Sequence, residues 1–153
     1  PDICLRTTLI TGFPGETDMD HETLLDFVEE TAFDRLGVFP YSQEEDTPAA
    51  AMDGQISEEV KEKRYGELMA LQQEIAFEAA MQMNGRVVTA MIEGRIADED
   101  AYVARTYKDA PNVDGFLFVN TDRELMTGDF VRVRITGSHE YDLIGEIEDE
   151  FTE

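Results

Sequence analysis

The chain has 153 residues, 42% of them hydrophobic, which is enough to bury one ordinary core or two small ones and argues against wholesale disorder. Thirty-five acidic against 12 basic side chains give a formal net charge of -23, a field that repels bare nucleic acid unless a local basic patch overrides it and that attracts a basic partner. The single cysteine, Cys4, cannot form an internal disulfide or hold an iron–sulfur cluster, and no apolar run approaches the roughly 20 residues that span a membrane, so the chain reads as cytoplasmic with no membrane partner.

Pro1 and Asp2 lead straight into apolar residues with no initiator Met, so the sequence reads as a piece of a longer protein. Cys4 to Thr11 reads as a strand. Its apolar and β-branched residues are nearly continuous, as expected when both faces are covered, with Cys4 an inert core thiol. Gly12 to Gly15 is a turn. Thr17 caps a helix whose first turn carries Asp18 and Asp20 and whose apolar side is Leu24, Leu25, Phe27 and Val28. Leu36 to Tyr41 is a second strand, followed by a loop from Gln43 to Gln55. Ser57 caps a long helix with Leu68, Leu71, Ile75 and Ala79 at helical spacing, and Asn84-Gly85 ends it. Strand–helix–strand–helix is the unit of a parallel sheet or barrel.

The period then changes. Val87 to Glu93, Tyr102 to Tyr107, Gly115 to Val119, Asp129 to Thr136 and Leu143 to Ile147 read as five short strands punctuated by glycines. The expectation is a small five-stranded antiparallel barrel of the OB-like kind. The fold class is therefore α/β followed by all-β, with domains 1–83 and 84–153.

The GFPGE stretch, Gly12 to Glu16, is the first candidate site. In parallel α/β architectures ligands bind at the carboxyl ends of strands. Glycine lets backbone approach a ligand, proline stiffens the loop, and the next helix offers N–H donors to an anion. Glu16 is placed to accept from a ribose or an amino group. A tight strand-to-helix turn with no ligand accounts for the same residues. Period-two alternation puts Arg6, Thr8, Ile10 and Gly12 on one side of the strand. His21, expected to face solvent, and His139 have no partner spacing for a metal, and no metal site is assigned.

RTTLITGFPGET, then FDRLGVFPYSQEEDTPAA, KRYGELMALQQEI, GRVVTAMIEG, YVARTYKDAPNVDGFLFV and LMTGDFVRVRITGSHEYDLIGEI together resemble the radical S-adenosylmethionine methylthiotransferases over essentially the whole chain. The resemblance implies the carboxy-terminal part of a partial TIM-like (βα) radical SAM barrel followed by a TRAM domain. YKDAPNVDG and EYDLIGE are similar to the branch that adds a methylthio group to the β-carbon of an aspartate in a basic small-subunit ribosomal protein, the one numbered twelve. An acidic barrel suits that partner better than a phosphate backbone. A tRNA adenosine as substrate, and a non-enzymatic TRAM module that binds RNA or protein, are the alternatives.

By the same resemblance the full-length enzymes use S-adenosylmethionine and two 4Fe-4S clusters. The cluster cysteines have no counterpart here, so this piece is expected to hold neither group and to be inactive alone. The resemblance directs Thr8, Ile10, Gly12 and Glu16 to the cofactor. Arg6, on the same side of the strand, is a candidate to pair with a cofactor carboxylate or to form a salt bridge at the barrel base, and Phe39 and Tyr41, at the end of the next strand, are candidates to wall the same cavity or to serve as plain packing. In the barrel, Tyr102, Arg105 and Tyr107 form a candidate partner-facing patch, Phe118 reads as core, and Asp109, Asp114, Glu140 and Asp142 are candidates for contacting the basic protein. An exposed edge of the partial sheet is expected to drive some self-association.

Overall fold

Strand and helix alternate as the pattern predicts in the computed structural model, which describes residues 2–148. β1 (Arg6–Thr11) leads to α1 (Asp18–Thr31), β2 (Arg35–Pro40), a 3₁₀ turn at Ala49–Ala51 and the long α2 (Glu58–Gln82). β1 and β2 pair in parallel, Arg6 opposite Arg35 through Thr11 opposite Pro40. Five strands follow: β3 (Val87–Arg95), β4 (Ala101–Thr106), β5 (Leu117–Asn120), β6 (Phe130–His139) and β7 (Asp142–Ile147). The chain divides into two compact units, Pro1–Ala76 and Phe77–Glu153. The division falls inside α2, because Met83 just beyond the helix lies in the core of the barrel and the Phe77 ring meets Tyr141 edge-on.

In the first unit Val28 of α1, Val38 of β2 and Leu68 of α2 form the buried centre, with Leu9 and Leu36 packed against it. The expectation of a strand covered on both faces is corrected here. Leu9 and Thr11 turn toward the helices, while Arg6, Thr8 and Ile10 line the opposite, exposed face. The strand itself begins at Arg6, so partly buried Cys4 precedes it.

In the second unit the strands close in the order β3-β4-β5-β7-β6, with β6 returning to β3. The expected barrel is present, but it is not wholly antiparallel. A ring with an odd number of strands cannot alternate direction all the way round, and the one parallel seam joins β5 to β7. Register shifts at Ile92/Gly94 and Ile135/Gly137 bend the strands that must curve most. Ile92, Leu117, Val119, Val133 and Ile135 fill the interior. Leu117 and Val119 point inward, so Phe118 between them faces out beside Phe116, correcting its reading as core.

Two substitutions test this packing. A Cβ on buried Gly145 would come within 2.8 Å of the Arg134 carbonyl and closer still to Val133 Cγ1. Gly145→Ala is expected to destabilise the barrel by about 1–3 kcal/mol in chemical denaturation. Leu68→Ala is expected to cost about 2–5 kcal/mol in the first unit, as deletion from a filled core does. Wild-type stability in either variant contradicts the packing.

Candidate functional site

The loop that leaves β1 is folded back on itself. Gly12 has φ +72, a conformation only glycine adopts freely, and its N–H donates to Oε2 of Glu16 at 2.9 Å. The Glu16 N–H donates to the Phe13 carbonyl at 3.0 Å, and the Gly15 N–H donates to the Gly54 carbonyl at 2.9 Å. The strand ends are tied as well, because the Tyr41 N–H donates to the Thr11 carbonyl at 2.8 Å.

α2 supplies the rest. Lys61, Arg64, Leu68, Gln72 and Ala76 are all buried and recur every three or four residues, so one face of the helix carries both apolar and polar groups inward. Lys61 is 3% exposed and Arg64 5%. Lys61 Nζ donates to the Tyr41 carbonyl at 2.9 Å and pairs with Glu58 at 2.5 Å. A Cβ at position 12 would come within 2.9 Å of Lys61 Cδ and closer still to Cγ, so the lysine stem lies directly against the Gly12 backbone. Arg64 Nη1 donates to Glu16 Oε1 at 2.7 Å and Nη2 to Asp18 Oδ1 at 2.8 Å. Burial works against the Arg64 charge, but hydrogen bonds to Asp18 and Glu16 outweigh it and hold the guanidinium above its ordinary value. Gln72 Nε2 donates to the Phe33 carbonyl at 2.8 Å, fixing the approach to β2.

The start of α1 is capped as its sequence predicts. The Thr17 N–H donates to Asp20 Oδ2 at 2.8 Å and the Asp20 N–H donates to Thr17 Oγ1 at 3.1 Å. The bond from the Thr17 backbone, helped by its hydroxyl, lowers the Asp20 carboxyl from its ordinary value. His21 does not face solvent. It is buried, with Nε2 at 2.7 Å from Glu67 Oε2, because the cap turns it onto α2.

The predicted cofactor-facing residues separate into two groups. Arg6, Thr8, Ile10 and Phe39 share the exposed face of the β1–β2 pair, Ile10 at 57% and Phe39 at 61% exposure and directly opposite in register. Gly12, Glu16 and Tyr41 instead form the inner clamp. Both Glu16 oxygens are engaged within the chain, at Gly12 and at Arg64, and the side chain is mostly buried. Tyr41 does not wall the same surface as Phe39. β2 ends at Pro40, which breaks the alternation, and the Tyr41 ring packs edge-on against Phe13 under Lys61.

The candidate barrel patch is corrected in the same way. Tyr102 is 4% exposed, and its hydroxyl donates to the Arg123 carbonyl and accepts the Leu125 N–H, both at 3.1 Å. In a regular strand residues 102 and 105 have opposite parity, so Tyr102 cannot share a face with Arg105. Arg105 faces out and lies 3.5 Å from Glu93, and Tyr107 is exposed past the strand end. Three of the four carboxylates brace loops. Asp109 accepts from the Thr106 N–H and hydroxyl, Asp114 from the Ala110 N–H at 2.6 Å and Asp142 from the Phe116 N–H at 2.8 Å. Glu140 alone of the four is exposed, in the β6–β7 turn with φ +54. A different acidic group emerges at one end of the barrel. Exposed Asp98, Glu99 and Asp100 precede β4, exposed Asp122 and Glu124 follow β5, and the Thr121 N–H donates to the Asp100 carbonyl to join the two loops.

Residues 85–147, which hold the five strands of the barrel, match the family described as TRAM domain. Along nearly its whole length the chain is similar to proteins named ribosomal protein uS12 methylthiotransferase RimO. It is 58% identical to that of Lachnoclostridium phytofermentans over 148 residues, 97% of this chain and 34% of the relative. It is 46% identical to that of Desulfitobacterium hafniense over 147 residues, 96% of this chain and 33% of the relative. It is 49% identical to that of Geobacter sulfurreducens over 148 residues, 96% and 33% respectively. The resemblance to RimO-type radical S-adenosylmethionine methylthiotransferases is thus borne out, and the chain spans about a third of the length of these relatives.

The residues present do not fit an iron–sulfur cluster. There is one cysteine, and among the described residues no three or more His, Cys, Asp or Glu group in a way that could hold a metal ion. On the outer face of β1 and β2, Ile10 and Phe39 are exposed apolar side chains opposite each other in register, and a Cβ on Gly15 would meet nothing within 4 Å. Among the described residues no helix is long and apolar enough to cross a membrane.

Thr17→Ala is expected to cost about 1 kcal/mol in thermal or chemical unfolding, the usual loss for an N-cap. The depressed Asp20 carboxyl gives the pH dependence. Its contribution is complete above the ordinary aspartate value, about 4, and is lost as pH falls through the lowered folded value. The stability gap between wild type and Asp20→Ala should therefore narrow on acidification, and a gap independent of pH contradicts the cap.

Proposed function

We propose that the chain is the carboxy-terminal part of a RimO-type radical S-adenosylmethionine methylthiotransferase, which adds a methylthio group to the β-carbon of an aspartate in ribosomal protein uS12. The observation that carries this reading is the similarity, along 97% of the chain, to relatives bearing that name. The exposed face of β1 and β2 takes the adenosyl part of S-adenosylmethionine, with Ile10 and Phe39 against the adenine, Thr8 offering a hydroxyl and the GFPGE loop closing one end. When bound, S-adenosylmethionine supplies the radical. The residues of this chain bind and orient it, and the clusters are held elsewhere in the enzyme.

The barrel recognises the protein substrate. Three of its arginines stand beside carboxylates, Arg105 with Glu93, Arg95 with Asp100 at 3.4 Å and Arg134 with Glu148, which lessens their pull on a phosphate backbone. The bonds to Glu148 hold the Arg134 guanidinium above its ordinary value. The exposed carboxylates of the 98–100 and 122–124 loops suit a basic protein and steer its approach.

The full-length enzyme, with its clusters reconstituted anaerobically, is the test. Given uS12 and tRNA separately, it should place a methylthio group on a uS12 aspartate, read by mass spectrometry, and leave tRNA unmodified. Modified tRNA adenosine with untouched uS12 contradicts the reading. In the same assay the triple variant D98N/E99Q/D100N should associate with uS12 more slowly and with a flatter salt dependence. An unchanged salt dependence would remove these loops from recognition.

A further inference from the structure

Lys61 and Arg64 stand out because helices rarely bury charge without a reason. Placing a cation at 3% or 5% exposure is costly unless each donor finds a partner. Leu68, one turn further along the same face, shows what packing alone would use. The two cations reach past the helix to the ends of both strands. Lys61 holds the end of β2 through the Tyr41 carbonyl and lays its stem against Gly12 at the end of β1. Arg64 holds Glu16 by its side chain at 2.7 Å and its carbonyl at 3.3 Å, and Glu16 in turn holds the Gly12 N–H at 2.9 Å. The loop that closes the exposed β1–β2 face therefore has its conformation set from behind, by residues that do not lie on that face.

We propose that Lys61 and Arg64 are positioning residues for S-adenosylmethionine, acting through Glu16 and Gly12 to hold the GFPGE loop in its binding shape before the cofactor arrives. The proposal rests on the reading that this face takes S-adenosylmethionine. A loop ordered in advance loses less freedom on binding, so its clamp contributes affinity without touching the ligand. The fork of Arg64, one nitrogen on Glu16 and the other on Asp18, is a geometry that lysine reproduces only in part.

The test uses the full-length reconstituted enzyme and equilibrium binding of S-adenosylmethionine. Arg64→Met and Glu16→Gln should each raise Kd about tenfold, and the double variant should be no weaker than the worse single one, because both break one chain of contacts. Arg64→Lys should recover part of the loss. In turnover, KM for S-adenosylmethionine should rise while kcat at saturation is kept, a split that general destabilisation does not give. Wild-type enzyme that binds no S-adenosylmethionine overturns the functional reading and the proposal with it. Tight wild-type binding with unchanged Kd in Arg64→Met overturns the proposal alone, and additive losses in the double variant overturn the route through Glu16. Should Arg64→Met fail to fold, Glu16→Gln and Arg64→Lys carry the same decision, wild-type Kd in both counting against the proposal.

Discussion

The carboxylate of Glu16 stands between Arg64 and the Gly12 N–H, and the first unit is organised around that contact. A buried guanidinium and a mostly buried carboxylate are tolerable only together, since removing either leaves the other desolvated and uncompensated. The pairing therefore fixes three things at once: the register of α2, the path of the loop after β1 and the start of α1, where Asp18 takes the second guanidinium nitrogen. Lys61 adds the end of β2 to the same set. What is left facing out is the flat surface of Ile10, Thr8 and Phe39, whose shape follows from contacts made behind it.

The barrel obeys a different constraint, closure. Five strands force one parallel seam, and the connections that this topology requires are braced by side chains instead of by longer strands. The Tyr102 hydroxyl holds the segment before β6, and Asp109, Asp114 and Asp142 hold the long loop between β4 and β5 and its junction with β7. Much of the acidity near that loop is thus structural. Exposed carboxylates remain on the barrel at the 98–100 and 122–124 loops and at Glu140 and Glu146, so its acidic side chains divide into a bracing set and a surface set.

The elements were legible in the sequence wherever local chemistry decides them. Thr17 with Asp20 three residues on is a cap whatever surrounds it, and the glycines of GFPGE require a turn. The barrel was legible from its short strands and glycine spacing, and its parallel seam follows from the count of five. The shared face of Arg6, Thr8 and Ile10 was legible because period two is intrinsic to a strand. Tyr102 was misread by grouping residues of opposite parity, and Tyr41 by extending a strand past Pro40. Lys61 and Arg64 were missed because cations on a helix ordinarily face water. The signal was present, since both fall in step with Leu68 on the predicted apolar stripe, but only the tertiary fold reveals that the stripe reaches a loop with carbonyl and carboxylate partners waiting.

Amide hydrogen exchange at Gly12 and Gly15, without any ligand, tests most directly whether the loop is held in advance. Both N–H groups donate to fixed acceptors, Glu16 Oε2 and the Gly54 carbonyl, and both should exchange slowly. Replacing Glu16 with glutamine should speed exchange at Gly12 far more than at the amides of β1. Rapid exchange at Gly12 in the wild-type chain, or exchange indifferent to Glu16, would contradict the account.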